Sequence, residues 1–191
     1  MNTAPTNTIR LIGISGSLRQ ASGNTAVLRA LKGALPEGVE MTLLPLDGIP
    51  LYNQDLDGPQ PLAAVGEFKR AIADCDGIVI SSPEYNFGMS GVLKNALDWA
   101  SRPAFASPLK GKPVLIITCS PAFTGGVRAQ AQLRETLAGT LSRVIARPPV
   151  VIGAIHTKID NGRLTDDASL QFALAAVDDL AAEIKLLRAQ L

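Results

Sequence analysis

Five apolar runs of strand length punctuate the chain, at Ile9 to Ser15, Val39 to Leu44, Gly77 to Ser82, Val114 to Cys119 and Val150 to Ile155, and none alternates strictly between apolar and polar residues. Successive side chains of a strand point to opposite faces, so a strand with one wet face must alternate. Runs that lack this alternation look like strands buried on both faces, which is the condition of a parallel sheet layered by helices. Helical patterns fill the gaps. Leu62, Val65, Phe68, Ile72 and Cys75 recur at spacings of three or four, as do Val27, Leu28, Leu31 and Leu35. Leu170, Leu174, Val177, Ala181, Ile184, Arg188 and Leu191 form one stripe beside Leu180 and Leu187, which predicts a long closing helix. Strand and helix alternating through five strands imply right-handed crossovers and helices on both faces. The expected fold is therefore an α/β three-layer sandwich around a five-stranded parallel sheet of order 2-1-3-4-5. With 191 residues, 47% of them hydrophobic, and no internal break rich in Ser, Gly or charge, one domain over residues 1–191 is expected.

Such a sheet binds its ligand beyond the carboxyl ends of the strands, where the winding direction reverses, so the loops after strands one, three and four should converge. The first, GSLRQASGNT (16–25), leaves a buried strand and enters a helix near Asn24. Its free N–H groups and the positive end of the helix dipole favour an anion. Ser15, Ser17, Ser22, Asn24 and Thr25 are short donors and Arg19 offers a planar fork, a set that suits a terminal phosphate. A plainer account of the same residues is that Ser22 or Asn24 caps the helix and the glycines turn the chain. No Gly-Lys-Ser/Thr and no G-x-G-x-x-G occurs here, which separates the loop from nucleoside triphosphatases and dinucleotide folds, and no cysteine lies in it to act as a phosphatase nucleophile.

The second loop opens SSPEYNFGMSGVLKNALDWASRP (81–103). Pro83 fixes φ, Gly88 and Gly91 permit close approach, and Val92 to Trp99 reads as a helix. Glu84 to Asn86 would then lie across the sheet edge with exposed backbone N–H groups and an aromatic ring beside them, an arrangement for a flat heteroaromatic ligand. Glu84 also reads as a solvated turn carboxylate, Lys94 and Asp98 as a surface pair four residues apart, Trp99 as packed, and Phe87 as exposed to a ligand or an interface.

GSLRQASGN followed by PEYNFGMSGVLKNALDW, each after a buried strand, resembles the NAD(P)H-dependent FMN reductase family of flavodoxin-like folds, nearest to the bacterial quinone and chromate reductases. The likeness runs from about Ile9 to about Ile152. By this resemblance Ser17, Arg19, Ser22, Asn24 and Thr25 grip the FMN phosphate, and Pro83, Glu84, Tyr85, Asn86 and Gly88 line the isoalloxazine edge, largely through backbone groups. The loop CSPAFTGGVRAQ (119–130) is similar to the family's Ser and Gly-Gly loop, which implies that Ser120, Gly125 and Gly126 approach the pyrimidine side. The resemblance implies an oxidoreductase that takes hydride from NADPH or NADH and passes two electrons, by a ping-pong mechanism, to a small-molecule acceptor: a quinone, flavin, azo compound or oxyanion such as chromate. It also implies a homodimer or homotetramer. Because a flavin supplies its own reactive atom, no catalytic side chain is required. A flavodoxin-type electron carrier is the alternative, and such carriers are strongly acidic, whereas this chain has a formal charge of +1.

That near-neutral balance gives no electrostatic case for nucleic acid or an anionic membrane, and no apolar run approaches about 20 residues, so a soluble cytoplasmic protein is expected. Cys75 and Cys119 lie far apart without CxxC spacing, and His156 is the one histidine, so no metal site is legible. The cysteines read as reduced and partly buried, and His156 as the end of a strand.

Overall fold

The computed structural model describes residues 8–60 and 62–190. Leu191 of the predicted stripe and Pro61 lie outside them. The elements run β1 (Ile9–Ser15), α1 (Gly23–Gly33), β2 (Val39–Leu44), α2 (Ala63–Asp74), β3 (Gly77–Ser82), α3 (Gly91–Ala100), β4 (Pro113–Cys119), α4 (Val127–Gly139), β5 (Arg143–Val144), β6 (Val150–Ile152), β7 (Ile159–Asp160), β8 (Arg163–Leu164) and α5 (Asp167–Arg188). The main sheet is parallel throughout, in the order β2-β1-β3-β4-β5, with β6 also paired to β4.

Alternate residues of the inner strands enter opposite cores. Leu11, Val79, Leu115 and Ile117 pack with α1 and α5, while Ile12, Ile78, Ile80, Val114 and Ile116 pack with α2, α3 and α4. Every residue of β3 and β4 is buried, which is why those runs carry no polar alternation. The expectation of two-sided burial fails for β2. It is the edge strand, and only Met41 in it is fully buried.

The fifth position also departs from expectation, because two short strands share it and the sheet has six. β5 pairs with Pro113 and Val114, and β6 pairs with Ile117 to Cys119. Between them Pro148 and Pro149 cannot donate to a ladder. The gap is closed from α4: the buried Gln130 amide donates to Ile116 O at 3.2 Å and Val150 O at 2.9 Å. The run expected to continue to Ile155 ends at Ile152, and Ala154, at φ 50°, turns the chain away.

The predicted closing helix is present as α5, and Arg188 near its end pairs with Asp76 at 2.8 Å. Trp99 is buried. Its indole N–H donates to Pro50 O at 2.8 Å and its ring meets Tyr52 edge-on, which fastens residues 50–52 to α3. Lys94 and Asp98 form the expected exposed pair at 2.7 Å.

Candidate functional site

The loops after β1, β3 and β4 converge on a groove of about 490 Å³ at the carboxyl edge of the sheet. Its first end is built by the entry to α1. Ser22 caps that helix, its hydroxyl accepting from Thr25 N at 3.3 Å, as the plainer account of the loop has it. The N–H groups of Gly23 and Asn24 find no acceptor among the described residues, both residues line the groove, and no acidic residue sits in the first turn. Arg19 lines the same end, and among the described residues its guanidinium forms no ion pair. An anion therefore meets unspent donors and the positive helix terminus at one point.

The loop itself is braced from β3 and α3. Gly16 N donates to Ser81 O, the Ser90 hydroxyl donates to Gly16 O, and the Ser81 hydroxyl donates to Asn24 Oδ1 at 2.9 Å. The last bond uses the oxygen of the Asn24 amide and leaves its NH₂ for the groove. Ser17 and Ser22 line the groove with Arg19 and Asn24. Thr25 does not. Its hydroxyl pairs with that of Ser15 at 2.8 Å on the far side of the loop.

Pro83, Glu84 and Tyr85 form the next wall. Asn86 and Phe87 both have positive φ, 49° and 68°, and make a two-residue turn closed by Tyr85 N to Gly88 O at 2.9 Å and the reverse bond at 3.0 Å. The expectation of free N–H groups from Glu84 to Asn86 is thereby reduced, because the Tyr85 N–H is spent within the turn. Asn86 and Gly88 lie off the groove. A Cβ on Gly88 would sit 2.5 Å from Gln132 Oε1, so that glycine allows the turn to close on α4.

Glu84 is not a solvated turn carboxylate. Its Oε2 accepts from Arg128 N at 2.9 Å and Ala129 N at 3.2 Å, in the first turn of α4, whose own cap residue Gly126 has no side chain to offer. The Arg128 guanidinium lies 3.8 Å from Glu84 Oε1 and 4.1 Å from the centre of the exposed Phe87 ring. One carboxylate thus caps α4 and ties the loop after β3 to the loop after β4. Glu84→Ala is expected to lower folding stability by about 1–2 kcal/mol. Glu84→Gln, which keeps an acceptor oxygen, should recover part of that loss in chemical denaturation. Equal stability of wild type and Glu84→Ala would show that these bonds carry no net stabilisation.

Ser120 lines the groove, but Gly125 and Gly126 do not. Gly125 packs on Val151 and on the backbone of Ile152 and Gly153, and Gly126 packs on Thr118. The rest of the lining comes from residues not predicted for the site: Cys119, Pro121, Ile155, His156 and Ile159, of which Ile155 and Ile159 pack beside Gly23. His156 sits in a short 3₁₀ turn rather than ending a strand, and Ile159 opens the β7–β8 hairpin. Both cysteines are free and buried; burial pushes the Cys119 thiol up to about 12 and the Cys75 thiol up to about 11, so both stay protonated near neutrality. Among the described residues no three His, Cys, Asp or Glu side chains gather to hold a metal ion, and no helix is long and apolar enough to cross a membrane.

Residues 9–157 match the family model described as NADPH-dependent FMN reductase. An NAD(P)H-dependent FMN reductase of Pseudomonas aeruginosa is 39% identical over 181 residues, covering 94% of this chain and 97% of the relative. A 2-hydroxy-1,4-benzoquinone reductase of a Burkholderia species is 37% identical over 178 residues, covering 93% and 97%, and a quinone reductase of Escherichia coli is 39% identical over 166, covering 85% and 88%. Among solved structures, the flavoenzyme NAD(P)H:(acceptor) oxidoreductase FerB from Paracoccus denitrificans superimposes with a TM-score of 0.82 at 30% identity, covering 93% of this chain and 98% of that one.

Proposed function

Because this chain belongs to the NADPH-dependent FMN reductase family, we propose that its groove holds FMN and that the protein carries two electrons from NAD(P)H to a quinone. The observation that carries the reading is the polarity of the groove. One part offers Arg19 and the N–H groups of Gly23 and Asn24, unpaired among the described residues, with Ile155 and Ile159 packed beside Gly23, and another part is walled by Pro83 and Tyr85. A phosphate in the first part and a flat apolar ring in the second fit that division.

FMN, when bound, supplies the atom that accepts hydride and the two electrons that an oxidant takes up. The chain's part is to bind and to orient. Ser17, Arg19, Ser22 and Asn24 hold the phosphate, with the first turn of α1 behind them. Pro83 and Tyr85 would set the plane of the ring, and the N–H group of Glu84, which lines the groove, would face its edge, while Asn86 shapes the turn outside it. Ser120 approaches from the other side, and Ile155 and Ile159 exclude water beside Gly23 at the start of α1. Thr25, Gly88, Gly125 and Gly126 act behind this layer, by holding the loops.

Donor and acceptor reach the ring in turn from its open side, which gives parallel lines in initial-rate plots. The quinone gains two electrons and two protons, one as hydride equivalent from NAD(P)H and one from solvent. Relatives named for quinone and benzoquinone reduction support that acceptor class. Free flavins, azo compounds and chromate are further acceptors that an open ring edge admits. We place the protein in the cytoplasm as a homodimer or homotetramer. Exposed Leu51, Phe105 and Phe123 supply apolar surface for such contacts.

The test is the absorption spectrum of the purified protein, loaded with FMN, before and after anaerobic NADPH and then NADH. Flavin bands that bleach are the expected result. Bands that persist would move the protein to the electron carriers, and no FMN uptake would overturn the reading.

A further inference from the structure

We infer that a second cavity, of about 510 Å³ on the opposite side of the first loop, receives the ADP half of the pyridine nucleotide donor. The inference rests on the flavin reading above. The two cavities share Ser17 and Arg19, so they are neighbours across one loop. A dinucleotide needs only its nicotinamide beside the flavin ring, and the first groove is the size of a single cofactor-sized ligand. Its other half must lie elsewhere within reach. The second cavity opens at the carboxyl ends of β1 and β2 and is contiguous with the first through those two shared residues.

Its chemistry suits a nucleotide. Arg29, one turn beyond Thr25 on α1, lines it, and among the described residues the Arg29 guanidinium makes neither an ion pair nor a hydrogen bond. Arg19 serves the flavin phosphate, which leaves Arg29 as a surplus cation for a second phosphate. The half-buried Leu44 and the exposed Leu18 offer apolar surface on which a purine can lie, and the Asp47 carboxylate lines the same cavity as an acceptor for a ribose hydroxyl or the adenine amine.

The experiment compares donors on FMN-loaded wild type and Arg29→Glu. 1-Benzyl-1,4-dihydronicotinamide delivers hydride but has no ADP half. In the variant, kcat/KM for NADPH or NADH is expected to fall about tenfold relative to that for the truncated donor, with the change in KM rather than kcat. A loss confined to NADPH assigns Arg29 to the 2′-phosphate, and an equal loss for NADH assigns it to the pyrophosphate. A ratio changed by less than about twofold overturns the inference. On wild type, 2′,5′-ADP and ADP should compete with the pyridine nucleotide and not with the truncated donor; competition with both, or with neither, overturns it independently of how the variant folds. Failure of the flavin reading shows separately, as wild type that neither binds FMN nor is bleached by either kind of donor.

Discussion

Arg19→Ala is expected to weaken FMN binding about thirtyfold while leaving riboflavin binding close to wild type. A hydrogen bond to a charged group contributes roughly 1.5–3 kcal/mol, and about 2 kcal/mol corresponds to that factor. Arg19 is exposed, which trims the electrostatic part, yet its guanidinium has no competing partner among the described residues and so loses little on engaging a phosphate. Riboflavin separates two ways the substitution can act, because it carries the ring without the phosphate. If Arg19 contacts the phosphate, the difference in affinity between FMN and riboflavin shrinks in the variant. If the Arg19 side chain merely stiffens the loop, both ligands weaken together; the backbone N–H of residue 19, 3.4 Å from the Ser17 hydroxyl, is the same in both proteins. Fluorescence titration of the two ligands against both proteins reads the result. Equal weakening would remove Arg19 from the phosphate site.

Much of this architecture is legible in the residues, and the exceptions have identifiable causes. β3 and β4 are readable because helices cover both faces and every position is apolar or small. β2 differs: Val39, Glu40, Met41, Thr42 and Leu43 alternate apolar and polar before Leu44 breaks the pattern, with Glu40 and Thr42 exposed, which is the local mark of a strand at the edge with one wet face. The break in the fifth strand does carry a signal, the Pro148 and Pro149 pair, whereas its early end turns on Ala154, a residue type that rarely announces a left-handed conformation. The wall made by Ile155, His156 and Ile159 depends on that turn and on the β7–β8 hairpin behind it. Asn161 and Gly162, at φ 46° and 75°, are the dipeptide by which that hairpin can be recognised. The loops show the sharper limit. PEYN can be placed at the sheet edge by its position after a buried strand, yet the role of the Glu84 side chain depends on α4, which arrives 44 residues later in the chain.

Gly125→Ala is expected to destabilise the fold by about 3 kcal/mol, an effect that separates packing from ligand contact at this position. By the resemblance alone, Gly125 would approach the flavin. In the structure it serves the scaffold. Its φ of 61° lies where a side chain is strained, at a cost of roughly 1–2 kcal/mol. An added Cβ would also run into Val151 Cγ1 and stand 2.9 Å from Gly153 N and 3.0 Å from the Ile152 carbonyl carbon. Backbone cannot swing aside as a flexible side chain can, so the overlap adds a further 1–3 kcal/mol or so. The contact matters because the loop after β4 is hydrogen-bonded along the exit of β6: Ser120 N to Ile152 O, Ile155 N to Ser120 O, and Ala154 N to Ala122 O. Pushing Gly125 away from Val151 therefore displaces Ser120 and Ile155 together, on two walls of the groove. Chemical denaturation of the apoprotein should show the loss without any flavin present, and FMN affinity should fall with it. A variant as stable as wild type that nevertheless fails to bind FMN would return Gly125 to the ligand side of the loop.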